Sequence, residues 1–241
     1  LIISSATILQ AQVTTSSMSG RVTDAEGAVI GATVIATHEP SGTVFGTVTN
    51  MEGRFNLNGM RVGGPYTVEV TYIGYGTYTA NNITLSLSEN YSLNVVLSEE
   101  TTSLDEVVVT ALRTKFSNQK TGAVTNITSS QIDNLPTVSR SIMDVTRLSP
   151  YGGNGMSFGG ADGRSSNFTV DGANFNNNFG LSSGLPGGGN PISLEAIEEM
   201  QVVIAPYDVR QTNFIGGGVN AITKSGTNTF KASASAFHRN E

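Results

Sequence analysis

The feature that most constrains the fold is a succession of short, apolar-alternating runs between residues 18 and 98, each stopped by a turn signal. Ser19 to Thr23 reads as a strand, and Asp24-Ala25-Glu26-Gly27 as a turn. Ala32 to Thr37 and Thr43 to Thr49 read as strands. Asn50-Met51-Glu52-Gly53 turns the chain into Arg54 to Leu57. Gly63-Gly64-Pro65 leads into Tyr66 to Ile73, and Tyr91 to Leu97 closes the set. Strands at 8–12-residue spacing with turn residues between them predict an antiparallel sandwich. No 3.6-residue apolar period competes. Gly27 and Gly53 are expected to supply the positive φ that such turns demand. Glu26 and Glu52, in the same turns, read as solvated residues rather than metal ligands or acid–base groups.

Composition narrows the function. There is no Cys and no Trp, and the two histidines are His38 and His238. That excludes a disulfide scaffold, a thiolate zinc site, a cysteine nucleophile and a multi-histidine metal centre. A net charge of −6 argues against a nucleic-acid partner. Helix formers are sparse and Ser, Thr, Asn, Gly and Val dominate, so the whole chain reads as mainly β. The charge is also uneven: residues 1–106 hold three arginines against ten carboxylates, and residues 107–241 ten basic against nine acidic groups. A shift that sharp predicts a domain boundary near residue 106.

The first run of strands carries a resemblance. SGRVTDAEGAVIGATV (19–34), TNMEGRFNL (49–57), YTVEVTYIGY (66–75) and YSLNVVL (91–97) resemble the carboxypeptidase regulatory-like domain. The resemblance implies a prealbumin-like sandwich over 18–98, of a kind also grouped with carbohydrate-binding-like folds, and it implies no protease activity.

After the acidic, polar stretch 98–103 comes Leu104-Asp105-Glu106-Val107-Val108-Val109-Thr110-Ala111. Three consecutive valines predict an extended strand. One reading makes it the last strand of the sandwich. The other starts from the similarity of SLDEVVVTA (103–111) to the TonB box that follows the regulatory-like domain in TonB-dependent transporters of the SusC and Oar-like branch. On that reading Asp105, Glu106, Val107, Val108, Val109 and Thr110 bind TonB, the segment has no pairing partner of its own, and the partner's sheet edge takes it as an added strand.

Residues 115–228 read as an α+β unit. Gly122 to Ile127 is a short strand, and Thr128-Ser129-Ser130 caps a helical turn, Gln131 to Leu135, stopped by Pro136. Ser139 to Leu148 places Ile142, Val145 and Leu148 on one helical face before Pro150. Residues 151–190 are Gly-, Asn- and Ser-rich and read as a long loop, with Asp171-Gly172 a tight turn. Ser193 to Met200 reads as a helix capped by Ser193, with Glu195 in its first turn. Gln201 to Ile204 and Val219 to Thr223 read as strands. The glycine runs 187–189 and 216–218 lack the Lys-Ser/Thr of a phosphate loop. SQIDNLP (130–136), SIMDVTRLSP (141–150), FTVDGANFNN (168–177), ISLEAIEEMQVV (192–203) and GGGVNAITKSGTN (216–228) resemble, in that order, the plug domain of the same transporters. Ala205-Pro206-Tyr207 stands where many members carry Arg-Gly-Pro, as in the Oar-like subgroup. Phe158, Phe168, Phe175 and Phe179 are candidate substrate contacts in the loop region; the alternative is that they anchor that loop to the plug core.

Two terminal stretches complete the reading. LIISSATIL (1–9), followed by Gln10-Ala11-Gln12, resembles the apolar region and cleavage site of a signal peptide, with an N-terminal strand as the alternative. Thr229 to Arg239 alternates in the manner of a first transmembrane β-strand. The expected fold class is therefore mainly β: a prealbumin-like sandwich, an α+β plug and the start of a transmembrane barrel. The resemblance implies a bacterial outer-membrane importer energised through TonB, carrying an oligosaccharide, a peptide or another large solute. No cofactor, metal, nucleic acid or enzymatic activity is expected, and a surface lipoprotein partner is left open. The competing reading is a secreted adhesion or carbohydrate-binding protein.

Overall fold

The computed structural model describes residues 13–99, 107–110, 123–135, 140–176, 185, 190–205, 211 and 214–232. The chain divides into two units, Ser17–Leu85 with Tyr91–Arg113 and Lys224–Glu241, and Thr114–Thr223 with Ser86–Asn90 and Leu1–Ser16.

The first unit is built from β1 (Ser16–Thr23), β2 (Thr33–His38), β3 (Thr43–Val48), β4 (Arg54–Met60), β5 (Gly63–Thr71), β6 (Tyr78–Leu85), β7 (Asn90–Ser92), β8 (Val95–Val96) and β9 (Val107–Thr110). One sheet runs β4-β1-β7, with β8 parallel to β1, and the other runs β3-β2-β5-β6-β9. Period-2 alternation points Val34 and Ala36 of β2 and Tyr66, Val68 and Val70 of β5 inward. They share one apolar core with Met18, Val22, Phe55, Leu57, Ala80, Ile83 and Leu85. The predicted turns form as expected. Asp24 Oδ1 accepts the N–H groups of Glu26 and Gly27, each at 2.8 Å. Gly53 has φ +70°, and a Cβ there would lie 2.5 Å from the Val22 carbonyl oxygen.

β6 was not expected from the sequence, because its inward alternation breaks in the middle. Ala80 and Ile83 both face the core, yet they are three residues apart. The register explains this: Tyr66 pairs with Ile83 and Val68 with Ala80, so β6 carries one extra residue. Asn82, at φ +60°, absorbs that bulge. The expected strand Tyr91 to Leu97 is in fact two short pieces, β7 and β8.

The second unit contains β10 (Val124–Thr128), α1 (Ser129–Asp133), α2 (Ile142–Thr146), β11 (Asn167–Val170), β12 (Ala173–Asn174), β13 (Ile197–Val203) and β14 (Gly218–Thr223). Its sheet runs β10-β13-β14-β11-β12, with β11 and β14 parallel. Capping boxes start both helices, Thr128 with Gln131 and Ser141 with Asp144. Ile132, Ile142 and Val145 share a core with Ile127, Phe168, Met200, Val202, Val219 and Ala221.

Three expectations for this unit are corrected. Ser193 to Met200 is not a helix: a single 3-10 turn, Leu194–Ala196, leads straight into β13. Ile197 and Met200 mimic helical spacing, but a bulge between Ile197 and Glu199 shifts a strand's alternation to the same effect. Residues 151–190 are not one long loop, since they hold β11 and β12 joined through Asp171 (φ +48°) and Gly172 (φ +81°). Leu148 is 41% exposed, because α2 ends two residues earlier. The predicted signal segment lies outside the described residues, and Thr229–Ala232, the described part of the expected barrel strand, is not in a strand.

Candidate functional site

The three valines behave as their β-propensity demands: Val107–Thr110 is a strand. Its surroundings differ from expectation. The segment is not unpaired; it lies parallel to β6, with Tyr78↔Val107, Thr79↔Val108, Ala80↔Val109 and Asn81↔Thr110 as partners. β9 thus closes the end of its sheet, and β6 lies between it and β5. The last described pair, Asn81↔Thr110, lies next to the Asn82 bulge of β6. Asp105 and Glu106 lie outside the described residues. The docking residues Tyr78 to Asn81 were missed because their strand was missed.

Of the four phenylalanines, the three described ones belong to or pack against the second unit's core. Phe158 and Phe168 are each 1% exposed and sit in the apolar core of the second unit, and Phe175 packs against it, half-buried. Phe179 lies outside the described residues. A ring buried in that core cannot stack on a sugar, so Phe158 and Phe168 are corrected to anchors of the loop.

Among the described residues, the electrostatically shifted groups all lie in the sandwich. The Tyr75 hydroxyl donates to Asp24 Oδ2 at 2.7 Å. That bond, with the Gly27 N–H, holds the Asp24 carboxyl below its ordinary range, and the same bond pushes Tyr75 up to about 12. Tyr66 is also pushed up to about 12, by burial, while its hydroxyl donates to the Arg61 carbonyl at 2.9 Å. His38 is pushed down by burial and by the Arg61 charge; its Nδ1 lies 2.6 Å from Ser41 Oγ. Glu26 and Glu52 stand exposed in their turns. Among the described residues no group of three or more His, Asp or Glu side chains is placed to hold a metal ion.

Comparison with known proteins agrees with this geometry. Residues 17–98 match the carboxypeptidase regulatory-like domain. The chain is 25% identical to "TonB-dependent transporter Oar" of Myxococcus xanthus over 92% of its own length. The chain is related to the TonB-dependent transporters. It spans about a fifth of that relative, 21% of its length. Among solved structures, a type II cohesin–X-dockerin complex from Acetivibrio cellulolyticus is 22% identical, covering 35% of this chain and 58% of that one, with a TM-score of 0.29. Catechol 1,2-dioxygenase from Acinetobacter radioresistens is 16% identical, covering 42% and 57%, with a TM-score of 0.30.

Proposed function

We propose that the chain is the coupling and gating part of an outer-membrane transporter that imports a large solute, an oligosaccharide or a peptide, with work delivered through TonB. The observation that carries this reading is that its relation to a TonB-dependent transporter runs over 92% of the chain, through sandwich, valine segment and second unit alike. A secreted adhesion or carbohydrate-binding module accounts for the sandwich alone. The outer membrane has neither ATP nor a sustained ion gradient, so work must arrive mechanically. Asp105 to Thr110 suits that task. The extended backbone of Val107–Thr110 can form a ladder with a partner's sheet edge, and such a ladder resists pulling along its length.

Docking on β6 adds a resting state. Each backbone hydrogen bond contributes about 0.5–1.5 kcal/mol net, so a four-residue ladder holds by only a few kcal/mol. That is enough to park the segment and little enough for a pulling partner to remove it. The plug then follows, because its sequence begins just after the segment. The test is uptake by cells carrying the full-length protein, with and without TonB, across a panel of glycans, peptides and metal chelates. Accumulation of one class that vanishes without TonB supports the reading. Equal accumulation in both strains refutes it.

A further inference from the structure

The exposed apolar side chains of the sandwich gather at one end. Between residues 13 and 99 seven large apolar side chains stand exposed, and six of them, Ile30, Val48, Met51, Tyr72, Ile73 and Val96, lie together by strand direction. β2 runs antiparallel to β3 and to β5, and β5 antiparallel to β6. The start of β2, the end of β3, the end of β5 and the start of β6 therefore share one end. β1 ends there too, since Thr23 bridges Ala28 and the Tyr75 hydroxyl reaches Asp24. β8 runs parallel to β1, with Val96 beside Thr23. The seventh, Val44, sits near the start of β3, away from this end. The connections at the other end, 39–42 and 61–62, expose no large apolar side chain.

These side chains ride on braced turns. The Tyr75 N–H donates to the Tyr72 carbonyl at 3.2 Å around Ile73 and Gly74 (φ +85°), and the Tyr72 and Tyr75 rings lie 5.6 Å apart. Asn50 Oδ1 accepts the Glu52 N–H at 3.1 Å and the Arg54 N–H at 2.8 Å, which fixes the turn that carries Met51. The bonds that close these turns come from main chain and from Asn50 and Asp24, not from the apolar tips. Ile73 is left 94% exposed and Met51 82%. Apolar surface ringed by polar groups marks a contact with another molecule, and surface already held in place lowers the ordering cost of binding. Four carboxylates, Asp24, Glu26, Glu52 and Glu99, stand at this end against two arginines, Arg21 and Arg54, so its rim is net acidic.

The coupling segment comes to the same end, because Val107 partners Tyr78, the first residue of β6. A body that grips the chain from Asp105 onward meets these turns. We propose that the loop end of the sandwich is a second docking surface for that partner, which presents an apolar patch edged by basic groups; the inference rests on the coupling reading above. The turns engage the partner's body and the segment engages its sheet edge. Both contacts lie on one chain, so each raises the effective concentration of the other.

The test titrates soluble TonB, freed of its membrane anchor, into the whole chain. Ile73→Asp with Met51→Asp places two charges on the tips and is expected to weaken binding at least about tenfold with the thermal melt kept. Should that pair lower the melt, Ile73→Ser with Met51→Ser is the milder variant, with an expected loss of about threefold. Val44→Asp, at a side chain 59% exposed but away from this end, is expected to bind within about twofold of the unaltered chain. Tip variants that bind as tightly as the unaltered chain overturn the inference, and the coupling reading survives if Val108→Pro weakens binding in the same titration. Equal losses in Val44→Asp and the tip variants overturn it as well. No binding by the unaltered chain overturns both. Glu26→Lys with Glu99→Lys is expected to weaken binding about fivefold, and unchanged or tighter binding overturns the basic edge. Vesicles of phosphatidylethanolamine and phosphatidylglycerol form the last arm: binding to them that the tip variants abolish gives this end to a bilayer and overturns the protein partner.

Discussion

A disulfide between β6 and β9 should lock the coupling segment onto the sandwich. Thr79 and Val108 are register partners. Paired strands lie about 4.8 Å apart, inside the roughly 4.4–6.8 Å that a disulfide spans between Cα atoms. The chain has no cysteine of its own, so Thr79→Cys with Val108→Cys creates a single possible pair. The closed loop is about 30 residues long, which in the chain-entropy treatment stabilises the folded unit by about 3.5 kcal/mol, less any strain. A thiol titration and a thermal melt, oxidised against reduced, measure that gain. In cells, the oxidised protein should bind solute at the surface but import none, and reductant should restore import. Thiols that do not join would refute the register. Full import by the oxidised protein would refute the need for β9 to leave β6.

Three further outcomes follow from the same packing. Thr49 Oγ1 accepts the Ala32 N–H at 2.9 Å and donates to the Val29 carbonyl at 2.7 Å, all buried. Thr49→Val strands both groups and should cost about 2–6 kcal/mol by urea unfolding, at about 1–3 kcal/mol for each; Thr49→Ser should cost far less, and equal losses would remove the bonds from the account. Tyr66 and Tyr75 hold their protons to about 12, against 10 in the unfolded chain. The unfolded state therefore sheds protons first, and sandwich stability should fall as pH rises from about 10 to about 12. Tyr66→Phe with Tyr75→Phe should flatten that slope in thermal melts, and an unchanged slope would contradict the assignment. Phe158→Ala removes a buried ring and should cost about 3–5 kcal/mol of second-unit stability; loss of solute binding without loss of stability would return it to the solute-contacting residues.

Much of the sandwich could be read from the sequence because its turns are local chemistry. Asp24 and Gly27 close one turn with their own atoms, and Gly53 is needed where any Cβ would meet the Val22 carbonyl. The first helix start was legible for the same reason, as Thr128 acts within three residues; the second was read two residues early, at Ser139, where Ser141 is the cap. What escaped depends on pairing over distance. The strand through Asn81-Asn82 was not expected, and only alignment against Tyr66 and Val68 shows the pair to sit at a bulge inside it. Glu199 was read into a helix and Gln201 into the strand after it; their partner Leu87 lies more than a hundred residues earlier, where no local signal points to it. The valine segment announced a strand, but nothing local named β6 as its neighbour. The apolar alternation through Ile83, Leu85 and Leu87 was a usable signal for the end of this strand.

The central claim is that Asp105 to Thr110 receives the pull that drives import. Val108→Pro in the full-length protein tests it most directly, because proline removes one ladder donor and fixes φ. Uptake of the transported solute should be abolished while binding at the cell surface is kept, and Val108→Thr, which a strand tolerates, should import nearly as well as the unaltered protein. Normal uptake by Val108→Pro in cells with working TonB would contradict the claim and leave β9 as a closing strand of the sandwich alone.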